Sequence, residues 1–230
     1  MRMIPNLSIV VPAYNEEPNL ARTILAAEAT LQGRAAERLE WILVDDGSTD
    51  GTWSEMTNLA DSMSHVIPLK HPKNKGLGAA IWTGMTQASL DWCTWMPADG
   101  QLEPQALDHM ARLAGESDLV LLMRDEDERA RWRRLLTLAL YGGMQILFGF
   151  DPFGFSGVYL VRRQILRQMP LYGTTAVQNY AVALHCQKQG YRIQRTSTVI
   201  RPRTSGRSKV ANLPTMLKTT YDLIRLRFAI

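Results

Sequence analysis

The amino-acid sequence predicts an α/β fold, with a largely buried sheet covered by helices, on three observations. Short continuous apolar runs, such as residues 7–11 and 41–44, are typical of parallel strands buried on both faces. Stretches with the apolar spacing of amphipathic helices separate these runs. Polar residues follow two of the runs directly, at the strand ends where ligands bind in open α/β sheets. Successive β-α units of this kind form layered sheets with right-handed crossovers.

The first 123 residues contain the β-α units in chain order. Pro18 comes just before the first helical stretch, where proline is favoured. The predicted strands are residues 7–11, 41–44, 66–69, 92–96 and 119–123, and the predicted helices are residues 19–31, 52–64, 78–89 and 103–114.

From Arg124 onwards the character of the sequence changes. A highly charged stretch, RDEDERARWRR, precedes an apolar stretch at residues 135–150 that is interrupted by glycines. The sequence then predicts strands at residues 154–161 and 191–200, and helices at residues 176–189 and 213–228. Because no linker separates the two parts, we expect one domain over residues 1–230, with halves 1–123 and 124–230.

Composition limits the class of protein. The 230 residues are 46% hydrophobic and 21% charged, which is globular rather than disordered. The apolar stretch at residues 135–150 is too short and too broken for a membrane span, and no secretory signal opens the sequence. With only two cysteines and no metal-ligand spacing, we expect a reduced cytosolic protein.

Charge is divided unevenly along the chain. Residues 1–123 carry 8 Lys/Arg and 16 Asp/Glu, whereas residues 124–230 carry 18 Lys/Arg and 6 Asp/Glu. Between Pro152 and Tyr221 there are eleven basic residues and no acidic residue. The acidic half is suited to a cation and the basic half to an anion. Charge alone leaves open whether that anion is a nucleic acid, a phospholipid surface or a phosphate-bearing substrate.

Two predicted strands end in polar motifs, Pro12-Ala13-Tyr14-Asn15-Glu16-Glu17 and Asp45-Asp46-Gly47-Ser48-Thr49-Asp50. Adjacent carboxylates after a buried strand repel each other unless cations or hydrogen-bond donors offset the repulsion. They are therefore candidates for ligand binding. The alternative is that Asp45 or Asp50 only caps the following helix, and for Asp50 capping is an equal alternative to ligand binding.

Five segments together resemble a known family. They are SIVVPAYNE, VDDGSTDGT, NKGLGAAIWTGM at residues 74–85, MPADGQ at residues 96–101 and RPRTSGRSK at residues 201–209. Their order and spacing resemble family 2 glycosyltransferases, in the branch typified by dolichol-phosphate mannose synthase and the bacterial undecaprenyl-phosphate enzymes. The resemblance implies a GT-A-type, Rossmann-like nucleotide-sugar transferase fold, with a mixed central sheet flanked by helices.

The resemblance also implies which residues bind the nucleotide sugar. A carboxylate can accept hydrogen bonds from base N–H groups or ribose hydroxyls, and Tyr14 offers an aromatic face. Gly76 and Gly78 permit a close approach of a loop to the donor, although an ordinary turn into a helix is the alternative. The donor-binding residues expected from the family are Pro12, Tyr14, Glu16, Val44, Asp46, Lys75, Ala98, Asp99, Gln101 and Arg124.

A divalent cation is expected at residues 96–101. The family has an Asp-x-Asp here, followed two residues later by Gln, and these oxygens hold a cation that bridges the donor diphosphate. In this sequence Pro97 replaces the first Asp, while Asp99 and Gln101 remain. Mg²⁺ or Mn²⁺ suits such oxygen ligands. We therefore expect Asp99 and Gln101 to be the metal ligands, with Asp99 counted as catalytic, and water and phosphate oxygens to supply more of the coordination.

The basic half supplies the residues that the family uses on the acceptor phosphate. A guanidinium and an ammonium within seven residues make a clamp for phosphate oxygens, although a basic surface loop is the alternative. Arg131, Arg133 and Arg134 are clustered, so a solvated helix face is an equal alternative for that segment. The expected acceptor-phosphate residues are Arg133, Thr137, Arg203, Ser208 and Lys209, of which Arg203 and Lys209 are counted as catalytic.

The resemblance implies an inverting transferase that moves a sugar from a GDP- or UDP-linked donor to a polyprenyl phosphate. The expected partners are the nucleotide sugar, the lipid, the membrane surface and a membrane protein, with no nucleic acid. The expected location is cytoplasmic and peripheral, at the inner face of the membrane. Two alternatives stay open. One is a family 2 transferase that acts on a sugar hydroxyl in polysaccharide or lipopolysaccharide assembly. The other is a non-catalytic binding module, which the replacement of the family Asp by Pro97 suggests.

Overall fold

A computed structural model describes residues 6–31, 38–125, 142, 144–146, 148–149, 154–199 and 213–229, with side chains from residue 218 in the last segment. The strands are β1 Leu7–Ala13, β2 Leu39–Asp45, β3 Val66–Lys70, β4 Trp92–Trp95, β5 Leu119–Arg124, β6 Phe155–Arg162 and β7 Ile193–Thr198. The helices are α1 Glu17–Leu31, α2 Thr52–Ser62, α3 Leu77–Gln87, α4 Gln105–Leu113, α5 Arg163–Leu166, α6 Val177–Lys188 and α7 Leu213–Ala229.

The strands form one seven-stranded mixed sheet in the order β3-β2-β1-β4-β6-β5-β7. β1, β2, β3 and β4 are mutually parallel, and β5 is parallel to β7. β6 is antiparallel to both of its neighbours, β4 and β5. The sheet therefore joins strands from the acidic half and the basic half. The mixed sheet flanked by helices confirms the predicted fold class.

Burial explains why the first strands read as continuous apolar runs. Every residue of β1 is buried, as are six of the seven residues of β2. α3 packs against β1 and β2, and α6 packs against β6 and β5, while α4 packs against β5 and β7. Strands covered on both faces bury successive side chains, so they lose the alternation of apolar and polar residues that a half-exposed strand shows.

The predicted elements agree with the structure, apart from their ends and two features. α1 begins two residues earlier than predicted, so that Pro18 lies in its first turn. The short helix α5 was not predicted, because four residues are too few for a helical period. β6 inserts between β4 and β5, a pairing that periodicity along the chain does not specify. Most of the apolar stretch at residues 135–150 lies outside the described residues.

Candidate functional site

The three motif-bearing strands of the first half end side by side. β1 lies between β2 and β4 and is parallel to both. Ala13 pairs with Asp45 in β2, and Val10 pairs with Trp95 in β4. The segments that follow these strands therefore meet at one edge of the sheet, where ligands bind in open α/β folds.

The loops after β1 and β2 are joined by side-chain hydrogen bonds. The Asn15 N–H donates to the Ser48 hydroxyl at 2.9 Å, and the Thr49 N–H donates to the Asn15 side-chain oxygen at 2.8 Å. Asn15 has a φ of 53°, a left-handed conformation that asparagine tolerates better than most residues. The Glu16 N–H donates to the Thr52 hydroxyl at 2.9 Å. These bonds hold Tyr14 and Glu16, two expected donor-binding residues, against the β2 loop.

Asp50 accepts hydrogen bonds at the start of α2, directly before the N-cap residue Gly51. Its Oδ1 accepts hydrogen bonds from the Thr52 N–H at 3.0 Å and from the Thr52 hydroxyl at 2.6 Å. Burial alone would raise the pKa of Asp50, but hydrogen bonds from Thr52 and from the Glu17 N–H outweigh it and lower that pKa below its ordinary value. The Asp50 carboxylate thus binds the N–H of the first residue of α2, so part of its hydrogen-bonding capacity is used within the protein.

Asp46 is the centre of a compact hydrogen-bond network. It is 4% exposed, and its Oδ1 accepts the Lys75 N–H at 2.9 Å while its Oδ2 accepts the Gly76 N–H at 2.9 Å. The His71 Nδ1 lies 2.7 Å from Oδ1. Donors from the segment after β3 therefore occupy much of the capacity of this carboxylate. Asp46 fixes the turn that carries Lys75, in addition to any contact with a ligand.

His71 is a site residue that the sequence did not identify. It is buried, and its Nε2 lies 3.0 Å from the Thr83 hydroxyl of α3. Because the other ring nitrogen faces a carboxylate, His71 links α3 to Asp46. The four histidines show no metal spacing, and a pairing across 25 residues leaves no local pattern.

Asp45 is fully buried directly beside Asp46 in the chain. The Ser48 N–H donates to its Oδ1 at 2.8 Å, and the Lys70 ammonium lies 3.8 Å from its Oδ2. Lys70 also lies over the Trp53 ring, 5.1 Å from the centroid. The repulsion between the adjacent carboxylates is thus offset separately, with a cation for Asp45 and N–H donors for Asp46.

The turn held by Asp46 packs closely on the segment before α6. Gly76 has a φ of +101°, and a Cβ there would lie 2.7 Å from the Thr174 carbonyl oxygen. A Cβ on Gly78 would collide with the Thr175 carbonyl oxygen, and the Gly78 N–H donates to the Thr174 carbonyl at 3.0 Å. Both glycines are therefore required by the close approach of two backbones.

Asp99 follows β4 at the same edge of the sheet. It is buried, and its Oδ1 accepts the Gln101 N–H at 3.1 Å. The preceding residue, Ala98, is also buried, and its carbonyl accepts the Thr23 hydroxyl of α1 at 3.2 Å. Asp99 and Gln101 thus lie in one tight turn. Pro12 in β1 and Val44 in β2, the remaining expected donor-binding residues of the acidic half, are both buried.

The donor set at this turn fits a hard divalent cation only in part. A carboxylate and an amide oxygen are ligands that Mg²⁺ and Mn²⁺ accept, but these ions require six ligands in all. No group of three or more His, Cys, Asp or Glu side chains suited to a metal occurs in the described part of the chain. The remaining ligands would have to be water and substrate oxygens.

Arg124 ends β5, with its N–H donating to the Gly154 carbonyl at 2.7 Å. The expected acceptor-phosphate residues lie outside the described residues, so their placement stays a prediction. They are Arg133, Thr137, Arg203, Ser208 and Lys209.

The fold and the strand-end site agree with the comparison with protein families. Residues 8–169 match the family described as glycosyl transferase family 2. The chain belongs to this family, and the predicted resemblance is confirmed.

Among curated proteins, the chain is similar to undecaprenyl-phosphate 4-deoxy-4-formamido-L-arabinose transferases. The protein from Yersinia pestis (strain Pestoides F) is 33% identical over 133 residues, which are 57% of this chain and 40% of that protein. The protein from Proteus mirabilis is 32% identical over 146 residues, which are 61% of this chain and 43% of that protein. The match thus spans about two fifths of the length of these relatives.

Solved structures share the GT-A fold. Glucosyl-3-phosphoglycerate synthase from Mycobacterium tuberculosis, in complex with Mn²⁺, UDP and phosphoglyceric acid, superimposes with a TM-score of 0.74 at 18% identity over 97% of this chain and 78% of that one. A mannosyltransferase from Pyrobaculum calidifontis, in complex with GDP-Man and Mn²⁺, gives a TM-score of 0.66 at 18% identity over 98% of this chain and 63% of that one.

Proposed function

We propose that this chain transfers a sugar from a nucleotide sugar to a polyprenyl phosphate. The observation that carries the proposal is the convergence of the β1, β2 and β4 ends, with Asp46 holding the Lys75 turn and Asp99 at the next strand end. The family match supports the transferase chemistry, and the names of the curated relatives support the lipid phosphate as acceptor.

In this proposal the acidic half binds the donor. Tyr14 and Glu16 are half-buried on the loop bound to the β2 motif, which suits them to the base and ribose. Asp46 positions the turn that presents the Lys75 ammonium. Lys75 is exposed, so its charge is available to donor phosphates.

Asp99 and Gln101 would hold the divalent cation, which supplies positive charge at the leaving diphosphate when bound. The neighbouring structures crystallised with Mn²⁺ and a nucleotide support a cation requirement. Pro97 in place of an acidic residue leaves Asp99 as the carboxylate of this pair.

The acceptor is proposed to be an anion that needs no general base. Transfer to a hydroxyl requires a group that removes the proton, whereas a phosphate monoester is already ionised. The first turn of α6, where hydroxyl-specific relatives are expected to carry acids, contains Val177, Gln178 and Asn179 and no acid. Gln178 is also engaged, because its side-chain oxygen accepts the Tyr172 N–H at 2.8 Å.

Substitutions of basic residues test this acceptor chemistry. We expect Arg203→Ala and Lys209→Ala each to reduce transfer to polyprenyl phosphate severely, because each removes a cation that holds the acceptor. Arg195→Ala removes an exposed cation from the edge strand β7 and is the matched control. Single neutralisation of Asp125, Glu126, Asp127, Glu128 or Asp151 should leave transfer intact. Loss of transfer in one of these variants, with the fold preserved, would favour a hydroxyl acceptor instead.

We propose further that the protein is peripheral at the cytoplasmic face of the membrane and docks through α7. No described helix combines the length and the apolar character that crossing a membrane requires. Tyr221, Ile224 and Phe228 project from α7 with exposed fractions of 60%, 53% and 87%. Their spacing places them along one stripe of the helix, and Arg225 lies beside Tyr221 with its guanidinium 5.9 Å from the ring centroid. An apolar stripe beside cations suits an anionic lipid surface.

Vesicle flotation tests the membrane proposal. We expect binding to anionic vesicles that weakens as salt rises, and a clear loss of binding in Ile224→Glu, because a charge on the stripe opposes burial among lipids. Leu25→Glu introduces the same change at an exposed leucine of α1 and should bind normally. Equal binding by the two variants would contradict docking through α7.

A further inference from the structure

We propose that Lys218 of α7 is a phosphate-binding residue of the transfer site, which makes the C-terminal helix a part of that site. The inference rests on the proposed function and adds a binding residue to that site. This residue comes from residues 213–229, which lie beyond the family match at residues 8–169. Contacts made by Asp222, Thr174 and Lys218 connect α7 to the turn that Asp46 holds.

A buried carboxylate on α7 makes the first of these contacts. Asp222 is 3% exposed, and its Oδ2 accepts the Thr174 N–H at 3.0 Å, the Thr175 N–H at 3.0 Å and the Thr175 hydroxyl at 2.9 Å. Gly173 leaves the space for it, since a Cβ there would lie 2.7 Å from the same oxygen. Three charge-assisted bonds in a buried site fix the position of α7 on the segment before α6.

The second contact is between that segment and the Lys75 turn. The Thr174 carbonyl accepts the Gly78 N–H at 3.0 Å, and Gly76 and Gly78 allow no side chain between the two backbones. Because the Gly76 N–H also donates to Asp46, one turn is bound on one side by Asp46 and on the other by a segment that α7 holds.

The Lys218 side chain brings a positive charge to the same turn. Lys218 lies one helical turn before Asp222, and its ammonium nitrogen is 3.9 Å from the position that a Cβ on Gly76 would occupy. Gly76 directly follows Lys75 in the chain, so the ammonium of α7 comes to the turn that presents Lys75. Among the described residues neither the Lys218 nor the Lys75 side chain has an anionic partner within ion-pair distance.

Cations at a rigid turn, unpaired in the described chain, suit a phosphate oxyanion. Both substrates of the proposed reaction carry this chemistry, the nucleotide sugar in its diphosphate and the lipid in its phosphate. The hydrogen bonds that hold the backbone around Gly76 come from Asp46 and Thr174 and do not involve the Lys218 ammonium. Removal of the ammonium should therefore leave the turn in place.

The test uses calorimetric titration of the full chain with UDP and with GDP, without lipid, together with steady-state transfer to undecaprenyl phosphate. The variants are Lys218→Gln, which removes the charge, and Lys218→Arg, which keeps it. Arg195→Gln is the matched control, an exposed cation on β7. Because the contact is exposed and charge-assisted, we expect Lys218→Gln to raise either the Kd for the nucleoside diphosphate or the KM for undecaprenyl phosphate about fivefold to tenfold. Lys218→Arg should stay within about twofold of the wild type, at an unchanged melting temperature.

The two readouts distinguish the source of the phosphate. A higher Kd for the nucleoside diphosphate in Lys218→Gln supports the proposal with the donor as ligand. An unchanged Kd with a higher KM for undecaprenyl phosphate supports it with the acceptor as ligand. Wild-type values for both overturn it. If the wild-type chain binds neither UDP nor GDP, the proposed function itself is contradicted. This result differs from one in which the wild type binds and Lys218→Gln behaves in the same way.

Discussion

At the scale of single residues, Asp46 holds the turn that carries Lys75. Its carboxylate accepts N–H donors from Lys75 and Gly76 and contacts His71. In Asp46→Asn an amide N–H₂ would face one of these donors, so at least one hydrogen bond is lost. A lost bond of about 1–3 kcal/mol in a buried site predicts roughly a tenfold weaker affinity for the nucleoside diphosphate, measured by calorimetry. Asp61→Asn, on the exposed side of α2, should bind as the wild type does, and equal affinity in both variants would contradict the role of Asp46.

Asp99 has a separate role, in the cation-dependent part of binding. We expect Asp99→Ala to abolish the gain in nucleotide affinity that Mn²⁺ or Mg²⁺ produces, because it removes the carboxylate of the proposed cation site. The affinity measured in the presence of a chelator should change little. Pro97→Asp should strengthen metal binding unless the turn requires the fixed φ of proline. A wild-type response to Mn²⁺ in Asp99→Ala would show that the metal ligands lie elsewhere.

The residues that the sequence identified at the site are those with short-range motifs. The Asp45–Asp50 segment and the NKGLG turn are recognisable along the chain, and the structure brings both to one sheet edge. His71 and Asp222 escaped notice because their partners, Asp46 and Thr174–Thr175, lie 25 and 47–48 residues away. A buried polar group is defined by such distant partners, so no local pattern identifies it.

At the scale of elements, the start of α3 depends on the absence of a side chain at Gly78. A Cβ there would collide with the Thr175 carbonyl oxygen, which belongs to backbone and has little freedom to move. Gly78→Ala should lower the free energy of unfolding by about 2–3 kcal/mol in a urea titration, because overpacking forces the backbones apart. Gly142→Ala is the control, since a Cβ at Gly142 meets no described atom within 4 Å. Equal stability of the two variants would contradict the close packing of α3 on residues 174–175.

The edge of the sheet near β7 depends on one carboxylate. Asp118 accepts hydrogen bonds from the Arg192 guanidinium at 3.2 Å and from Arg162 at 3.0 Å. The bond from Arg192 is the largest influence on its pKa and, with those from Arg162, outweighs burial, so the pKa of Asp118 is lowered. A carboxyl with a lower pKa in the folded state contributes stability above its unfolded pKa of about 3.9, and that contribution disappears as the pH falls through the folded pKa.

Asp118→Asn should therefore cost about 0.5–1 kcal/mol at pH 7, the value typical of a partly exposed ion pair. The difference in unfolding free energy between this variant and the wild type should shrink towards zero below about pH 4, because the wild-type carboxyl is then becoming neutral as well. Urea titrations at several pH values measure it. A difference that is independent of pH would show that packing, and not charge, holds Asp118.

At the scale of the whole molecule, the sequence predicted the order of strands and helices but not how the two halves join. Continuous apolar runs define β1 and β2 because both faces of these strands are buried. The position of β6 between β4 and β5 depends on pairings between residues some 40 to 70 positions apart, such as Cys93 with Val161 and Val120 with Leu160. The expectation of one domain with an acidic donor half and a basic acceptor half stays a prediction, although one sheet contains strands of both halves.

The central claim is that the acceptor is a polyprenyl phosphate, and a comparison of two acceptors tests it most directly. The purified chain is incubated with a radiolabelled nucleotide sugar, Mn²⁺ and either undecaprenyl phosphate or undecaprenol, which differ only in the phosphate. We predict label in the organic-solvent extract with undecaprenyl phosphate and none with undecaprenol. The proposed site has cations that bind an anionic nucleophile, and the first turn of α6 contains no acid that could deprotonate a hydroxyl. Equal labelling of both lipids, or transfer only to a water-soluble sugar acceptor, would contradict the account.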